Sequence, residues 1–262
     1  MRYHILLVVG ALLALASGAY AYPTLTGPTG GAVLPDADVA GLGQLNVAAD
    51  WVNEDTFLGV SGLDVDPAFP VRATFGVAPG WEVGAAYTFQ NVPNASGNLD
   101  GWGVNAKYQL KYALAGANLA IGAQYQDLND LDLQATNIYL VGTKRFTAAS
   151  ERGPGVTASL GLNFVDADLA SVSDSSFRPY LMATLDFTNK ASVVAEYRFK
   201  DSDFDNKALS ALTVRYPFSP ALTGQIGVTN SFRGIFGGED HNVFAGINYS
   251  WGGMTTTEDE GY

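Results

Sequence analysis

The chain has 262 residues, of which 15% are charged and 47% apolar, with 30 glycines, no cysteine and a net charge of −12. The missing cysteine excludes disulfides, zinc-thiolate sites and thiol nucleophiles. The apolar content excludes a disordered chain, and the acidic balance excludes a nucleic-acid partner, because binding phosphates needs a positive footprint.

Residues 1–21 read as a secretory signal peptide. Arg2 supplies the positive start, Ile5 to Leu15 the apolar run, and Ala19-Tyr20-Ala21 a small-x-small cleavage site, so the mature chain is expected to begin at Tyr22. The run is roughly half the ~20 residues that a spanning helix needs. Tyr22 to Gly43 follows, rich in Gly and Pro. It is expected either to fold as a plug or to lie beside the main body.

From Gln44 onward the chain alternates with a period of two, the pattern of strands. Twelve segments show it, the first two being Gln44–Trp51 and Val71–Ala78. In Trp81–Gln90, Trp81, Val83, Ala85, Tyr87 and Phe89 face one way, and Glu82, Gly84, Ala86, Thr88 and Gln90 the other. Trp102–Tyr112 repeats this, with Lys107 and Lys111 on the polar side. Leu119–Gln126 and Thr136–Phe146 come next. The latter puts Lys144 on the apolar phase and Tyr139 and Val141 on the polar one, which a bulge would repair. Val156–Phe164, Phe177–Thr188, Ser192–Lys200, Ala208–Phe218, Leu222–Thr229 and Val243–Trp251 complete the set. Pro179 and Pro217 fall near strand ends, where a missing ladder donor does less harm.

Connectors alternate between tight turns, such as Pro79-Gly80 and Asn189-Lys190, and long acidic loops, such as 52–70, 91–101, 165–176 and 230–242. Up-and-down hairpins with one tight and one long set of connections are the pattern of membrane-spanning barrels. The polar phase carries Gly, Ser, Thr, Asn and Gln rather than the dense Lys/Glu mixture of a wetted surface. The apolar phase has aromatic ends: Trp51, Phe89, Trp102, Tyr125, Phe164, Phe177 and Phe199 toward the long loops, and Trp81, Tyr112, Phe146, Phe187, Tyr216, Phe218 and Trp251 toward the tight turns. Two aromatic belts around an aliphatic band match the two interfaces of a bilayer. Backbone polar groups in lipid have no water to pair with, so such a sheet must close. The expected fold is all-β: a transmembrane antiparallel up-and-down barrel of about 12 strands over 44–251, followed by an acidic tail, 252–262.

Over the mature chain this resembles a Gram-negative outer-membrane β-barrel. The last strand carries the Gly-x-x-aromatic-x-aromatic pattern of such proteins as Gly246-Ile247-Asn248-Tyr249-Ser250-Trp251. The resemblance implies an outer-membrane location and reading of Gly246, Tyr249 and Trp251 by the assembly machinery. Two positions depart from it: Phe244 stands where a polar residue is usual, and the tail follows the signal. A narrower resemblance to YjbH-type, exopolysaccharide-associated barrels lies in Gly30 to Gly43, with Pro35-Asp36-Ala37.

With the polar phase inward, the lumen receives Arg72, Lys107, Lys111, Arg145, Arg178, Arg198, Lys200 and Arg215 against Asp50, Glu82, Asp186 and Glu196. Bases inside and acids on the loop rim imply a pore that favours anions. The expected function is porin-like passive diffusion of small hydrophilic solutes, anionic or sugar-like. The alternative is a structural or exopolysaccharide-associated barrel without an open pore, its inner charges paired across the bore. The acidic rim is expected to be solvated, or to bridge to lipopolysaccharide through divalent cations. Asp201-x-Asp203-x-Asp205 has the first spacing of a calcium loop but lacks its Gly and distant Glu, so no metal site is assigned. A hydrolase ranks third, since His241 is the one histidine of the mature chain, and no catalytic residue and no cofactor are assigned.

Overall fold

The structure is a computed structural model. It describes residues 22–53, 66–91, 98–111, 113–128, 133–150, 153–169, 172–188, 190–200, 207–232 and 236–252. The expected signal peptide, the run Asp201–Asp205 and most of the acidic tail lie outside the described residues.

Twelve antiparallel strands follow one another: β1 (Leu45–Asn53), β2 (Phe69–Ala78), β3 (Trp81–Phe89), β4 (Gly101–Gln109), β5 (Asn118–Leu128), β6 (Leu133–Thr147), β7 (Gly155–Leu169), β8 (Val172–Asp186), β9 (Ser192–Arg198), β10 (Leu209–Pro217), β11 (Leu222–Phe232) and β12 (Phe236–Trp251). Each pairs with its neighbours in sequence, and β1 pairs with β12 to close the barrel. Leu45 stands opposite Trp251 and Asn53 opposite Val243 across that seam.

The apolar phase faces outward. Val47, Val83, Val104, Leu140, Leu160, Ile226 and Ile247 are all exposed, an arrangement stable only against hydrocarbon. Aromatic side chains gather at both ends of this band. Trp102 and Tyr125 lie 5.5 Å apart and Phe164 and Phe177 4.9 Å apart at the loop end, and Trp81 and Tyr108 4.5 Å apart at the tight-turn end. The barrel therefore spans a bilayer with its polar phase enclosed.

The structure corrects the sequence reading in four places. The stretches 165–176 and 230–242 are not long loops. They are continuations of β7–β8 and β11–β12, whose pairing runs on through Leu169↔Val172 and Ser231↔Gly237. Above the bilayer a strand needs no apolar outer face, so the signature used to find strands ends before the strand does. No bulge shifts the middle of β6 either: alternation is unbroken from Leu133 to Arg145. Tyr139 and Val141 point into the bore and are buried. Lys144 points outward, where its Nζ donates to the Ala115 carbonyl oxygen at 2.7 Å and sits 5.7 Å from the centre of the Phe146 ring. That is the posture of a lysine keeping its charge at the interface. Pro179 lies within β8 rather than near its start, at the level where β9 ends. Finally, β4 stops at Gln109 and β9 at Arg198, so Lys111 and Lys200 lie past the strand ends, exposed.

Residues 22–43 occupy the bore as an irregular segment, tied at its end to the wall by Gly43 N–H to the Gly76 carbonyl oxygen at 2.8 Å. It turns on itself through Gly30 N–H to the Tyr22 oxygen (2.8 Å) and Gly31 N–H to the Leu34 oxygen (2.8 Å). Ala32, Val33, Leu34 and Ala37 pack with Ala120, Tyr139, Val141, Tyr180, Ala211 and Phe244 into one apolar cluster inside the barrel. These wall residues break the polar phase because they face this segment rather than water.

Candidate functional site: a stopped bore

The bore is filled at mid-height. Asn46, Thr74, Glu82, Lys107, Tyr139, Tyr180 and Thr213, all pointing inward, are each 1% exposed or less. A water-filled channel would leave them wet. The wall makes room locally by glycine: a Cβ at Gly122 would stand 2.3 Å from the Tyr139 ring, and one at Gly161 2.1 Å from that of Tyr180.

A segment with little regular structure carries backbone N–H and C=O groups that must be paired once buried. The wall supplies the partners. Glu196 on β9 accepts three successive amides, Ala32 N at 2.6 Å, Val33 N at 3.0 Å and Leu34 N at 2.7 Å. Consecutive N–H groups converging on one carboxylate form an anion-binding nest. Gly31 opens it, because a Cβ there would fall 2.4 Å from the Glu196 carboxylate carbon. Glu82 on β3 accepts Thr29 N (2.9 Å), Thr29 Oγ1 (2.8 Å) and Ala40 N (2.9 Å). In a closed ring of twelve, β3 and β9 stand opposite one another. The segment is thus slung across the bore between two carboxylates.

The bases take the carbonyls. Lys107 on β4 donates to Thr29 O at 2.9 Å and Asp36 O at 3.3 Å, touches Thr29 Oγ1, and lies 3.5 Å from Glu82 Oε1 and 3.7 Å from Asp36 Oδ1. Arg215 on β10 donates to Gly30 O at 3.1 Å, its guanidinium 4.2 Å from the centre of the Tyr22 ring. Neutral groups complete the contacts: Tyr180 OH donates to Pro35 O (2.9 Å), Gln109 to Ala37 O (3.0 Å), Thr74 to Gly27 O (2.9 Å), and Thr143 Oγ1 accepts Ala37 N (2.9 Å).

The remaining charges of the sequence-derived lumen set divide. Arg72 pairs with Asp50 inside the wall of β1 and β2, where Gln225 also donates to Asp50 at 2.6 Å. A Cβ at Gly246 would overlap that Asp50 carboxylate, so the glycine of the terminal pattern makes room for the cluster while Tyr249 and Trp251 face lipid. Arg178 and Arg198 lie buried on neighbouring strands toward the loop end, Arg178 Nε donating to Ser176 Oγ at 2.7 Å. Arg145 and Asp186 line a cavity of about 430 Å³ at the tight-turn end, together with Tyr22, Asp36, Lys190 and Arg215. Lys111 does not line the bore, for the reason given above. His241 is exposed on β12.

Sequence reasoning placed Glu82, Lys107, Glu196 and Arg215 on the bore but not what they bind. The visible trace was the set of misplaced apolar residues: Tyr139, Val141 and Phe244 on an otherwise polar phase.

No protein-family model matches the chain, and no curated protein matches it. Solved structures do. The KdgM porin in complex with disordered oligogalacturonate matches at 12% identity over 79% of this chain and 99% of its own, with a TM-score of 0.58. The KdgM porin alone matches over the same shares at 12% identity and a TM-score of 0.56. The NanC porin in a rhombohedral crystal form matches at 11% identity over 78% of this chain and 98% of its own, with a TM-score of 0.51. At such identities the likeness is one of fold, and it lends the narrower resemblance at Gly30–Gly43 no support. The chain is an all-β, bilayer-spanning barrel with the fold of outer-membrane porins.

Proposed function

We propose that the protein is a porin-like channel of the outer membrane, closed while residues 22–43 occupy its bore and conducting small hydrophilic solutes by passive diffusion when they leave. One observation carries this reading. The bore is lined by polar and charged side chains, yet it is filled by a segment outside the wall, held chiefly by side-chain hydrogen bonds to its backbone. Such bonds are exchangeable for water, as a removable stopper requires. No bond is made or broken in the solute, so the role is transport rather than catalysis.

Acidic sugars are the favoured solutes. With the stopper out, Lys107, Arg178, Arg198 and Arg215 line the passage against Glu82 and Glu196, while Arg72 is neutralised by Asp50. The oligogalacturonate named with the KdgM porin agrees with this preference. In this reading the tight turns face the periplasm, lipopolysaccharide surrounds the loop end, and the assembly machinery reads Gly246, Tyr249 and Trp251. The filled mid-section favours a second reading, a structural or exopolysaccharide-associated barrel that never opens.

Planar-bilayer recordings separate the two. A chain lacking residues 22–43, shown to be folded by its β-sheet circular dichroism, is expected to conduct where the chain beginning at Tyr22 is mostly silent. In a salt gradient its reversal potential is expected to show anion preference, and Lys107→Glu in that shortened chain to move it toward cations. A folded, inserted and silent shortened barrel transfers the conclusion to the second reading.

A further inference from the structure

The stopper has two carboxyl groups of its own, Asp36 and Asp38. Asp36 sits where the stopper meets the cavity at the tight-turn end, its side chain 19% exposed there. One cation reaches it at ion-pair distance, while two other carboxylates crowd it. Asp38 lies beside it on the same segment, its N–H donating to Asp36 Oδ1 at 3.0 Å. Glu82 faces it from β3, Tyr139 from β6 and Tyr180 from β8. Lys107 on β4 is the cation at 3.7 Å, but it is shared with Glu82 at 3.5 Å and already bonded to Thr29. Arg215 faces it from β10, while Arg145, Lys190 and Asp186 line the same cavity. The Glu82 carboxylate, by contrast, is engaged by three donors of the stopper. An ionised Asp36 is therefore a weak point of the docked arrangement, and its side chain is open to protons from the cavity.

We propose that residues 22–43 form a pH-responsive stopper, held in the bore while Asp36 is protonated and loosened when Asp36 ionises. Burial first, then the charges of Asp38 and Glu82, lift this carboxyl from 3.8 to about 7 in the docked state, with Lys107 opposing. The sign follows from linkage. The docked state binds the proton more tightly than the free segment does, so docking is strongest in acid. It weakens about tenfold per pH unit between the free and docked values and levels off above neutrality.

The chain has no cysteine, so Val33→Cys places a single thiol in the stopper at a site that is 3% exposed when docked. Its labelling by a charged, membrane-impermeant maleimide, corrected for thiolate fraction, reads undocking in the chain beginning at Tyr22. The corrected rate is expected to rise roughly fiftyfold from pH 5 to pH 7 and to level off by about pH 8. In Asp36→Asn, which keeps the acceptor for Asp38 N–H without the charge, it is expected to stay slow and flat. In Asp38→Asn the rise is expected to persist with its midpoint moved to lower pH, because a negative charge that resists ionisation of Asp36 is gone. A rise of the same size and midpoint in Asp36→Asn, fast labelling of Asp36→Asn at every pH, or fastest labelling in acid overturns the proposal. A conductance that follows the same pH profile rests on the channel reading; the labelling does not, so a silent barrel with a pH-dependent thiol defeats that reading alone.

Discussion

Two stretches of the same strand obey opposite rules. Along β7 up to Phe164, apolar side chains such as Leu160 and Leu162 face outward and Ser159 and Asn163 face the bore. Two residues beyond Asn163 the arrangement inverts. Val165 and Ala167 are buried inside, packed with Ala135, while Asp168 stands exposed outside. The backbone pairing passes through this point unchanged, from Phe164↔Phe177 to Val165↔Ser176. The Phe164–Phe177 pair marks the change of surroundings, as aromatic residues do at a membrane interface. Below it the sheet separates hydrocarbon from an enclosed polar interior, and above it the same sheet separates water from a small apolar core. The solvent, not the strand, decides which phase is which.

That comparison can be broken most forcefully at Leu160. Leu160→Arg places a charge in mid-bilayer and is expected to cost about 2–4 kcal/mol, while Asp168→Arg on the same outer face is expected to stay within about 0.5 kcal/mol. Urea titration of both variants folded into lipid vesicles decides the matter, and equal costs would dissolve the distinction. Val165→Asn tests the inner face just above the boundary. An amide beside Ala135 and Ala167 is expected to cost about 1–3 kcal/mol. Lys144→Leu gives the smallest effect. Its ammonium already reaches the interface, so removing it is expected to change stability by less than about 1 kcal/mol in the same titration.

The boundary also explains how far the sequence could be read. Every strand was visible wherever lipid imposed an apolar outer face, and Trp81–Phe89 and Leu222–Phe232 began where the periodicity placed them. The upper parts of β7 and β8 were not, because Asp166, Asp168, Ser173 and Ser175 look like loop residues unless the inverted phase is sought. The bore charges were legible as a group, since Glu82, Lys107, Glu196 and Arg215 all fall on the polar phase. Their partners were not. The stopper is held mainly through its amides and carbonyls, which every sequence has, and only Gly31 betrays the close approach of Glu196. Phe244, Tyr139 and Val141 were the better clue, because a residue that violates one side's solvent must have another partner on that side.

The stopper runs directly into β1, and β1 closes the cylinder against β12, the last strand to be made. The segment just ahead of the first strand is therefore enclosed by a joint that needs the twelfth. A leader lying across an unclosed sheet can be wrapped, whereas a finished cylinder would have to admit it end-on, past the Asp50–Arg72–Gln225 cluster beside the joint. The stopper is thus moored at Gly43 to the strand that makes the closing joint, so a finished cylinder keeps hold of it by one end even when its bonds across the bore are broken.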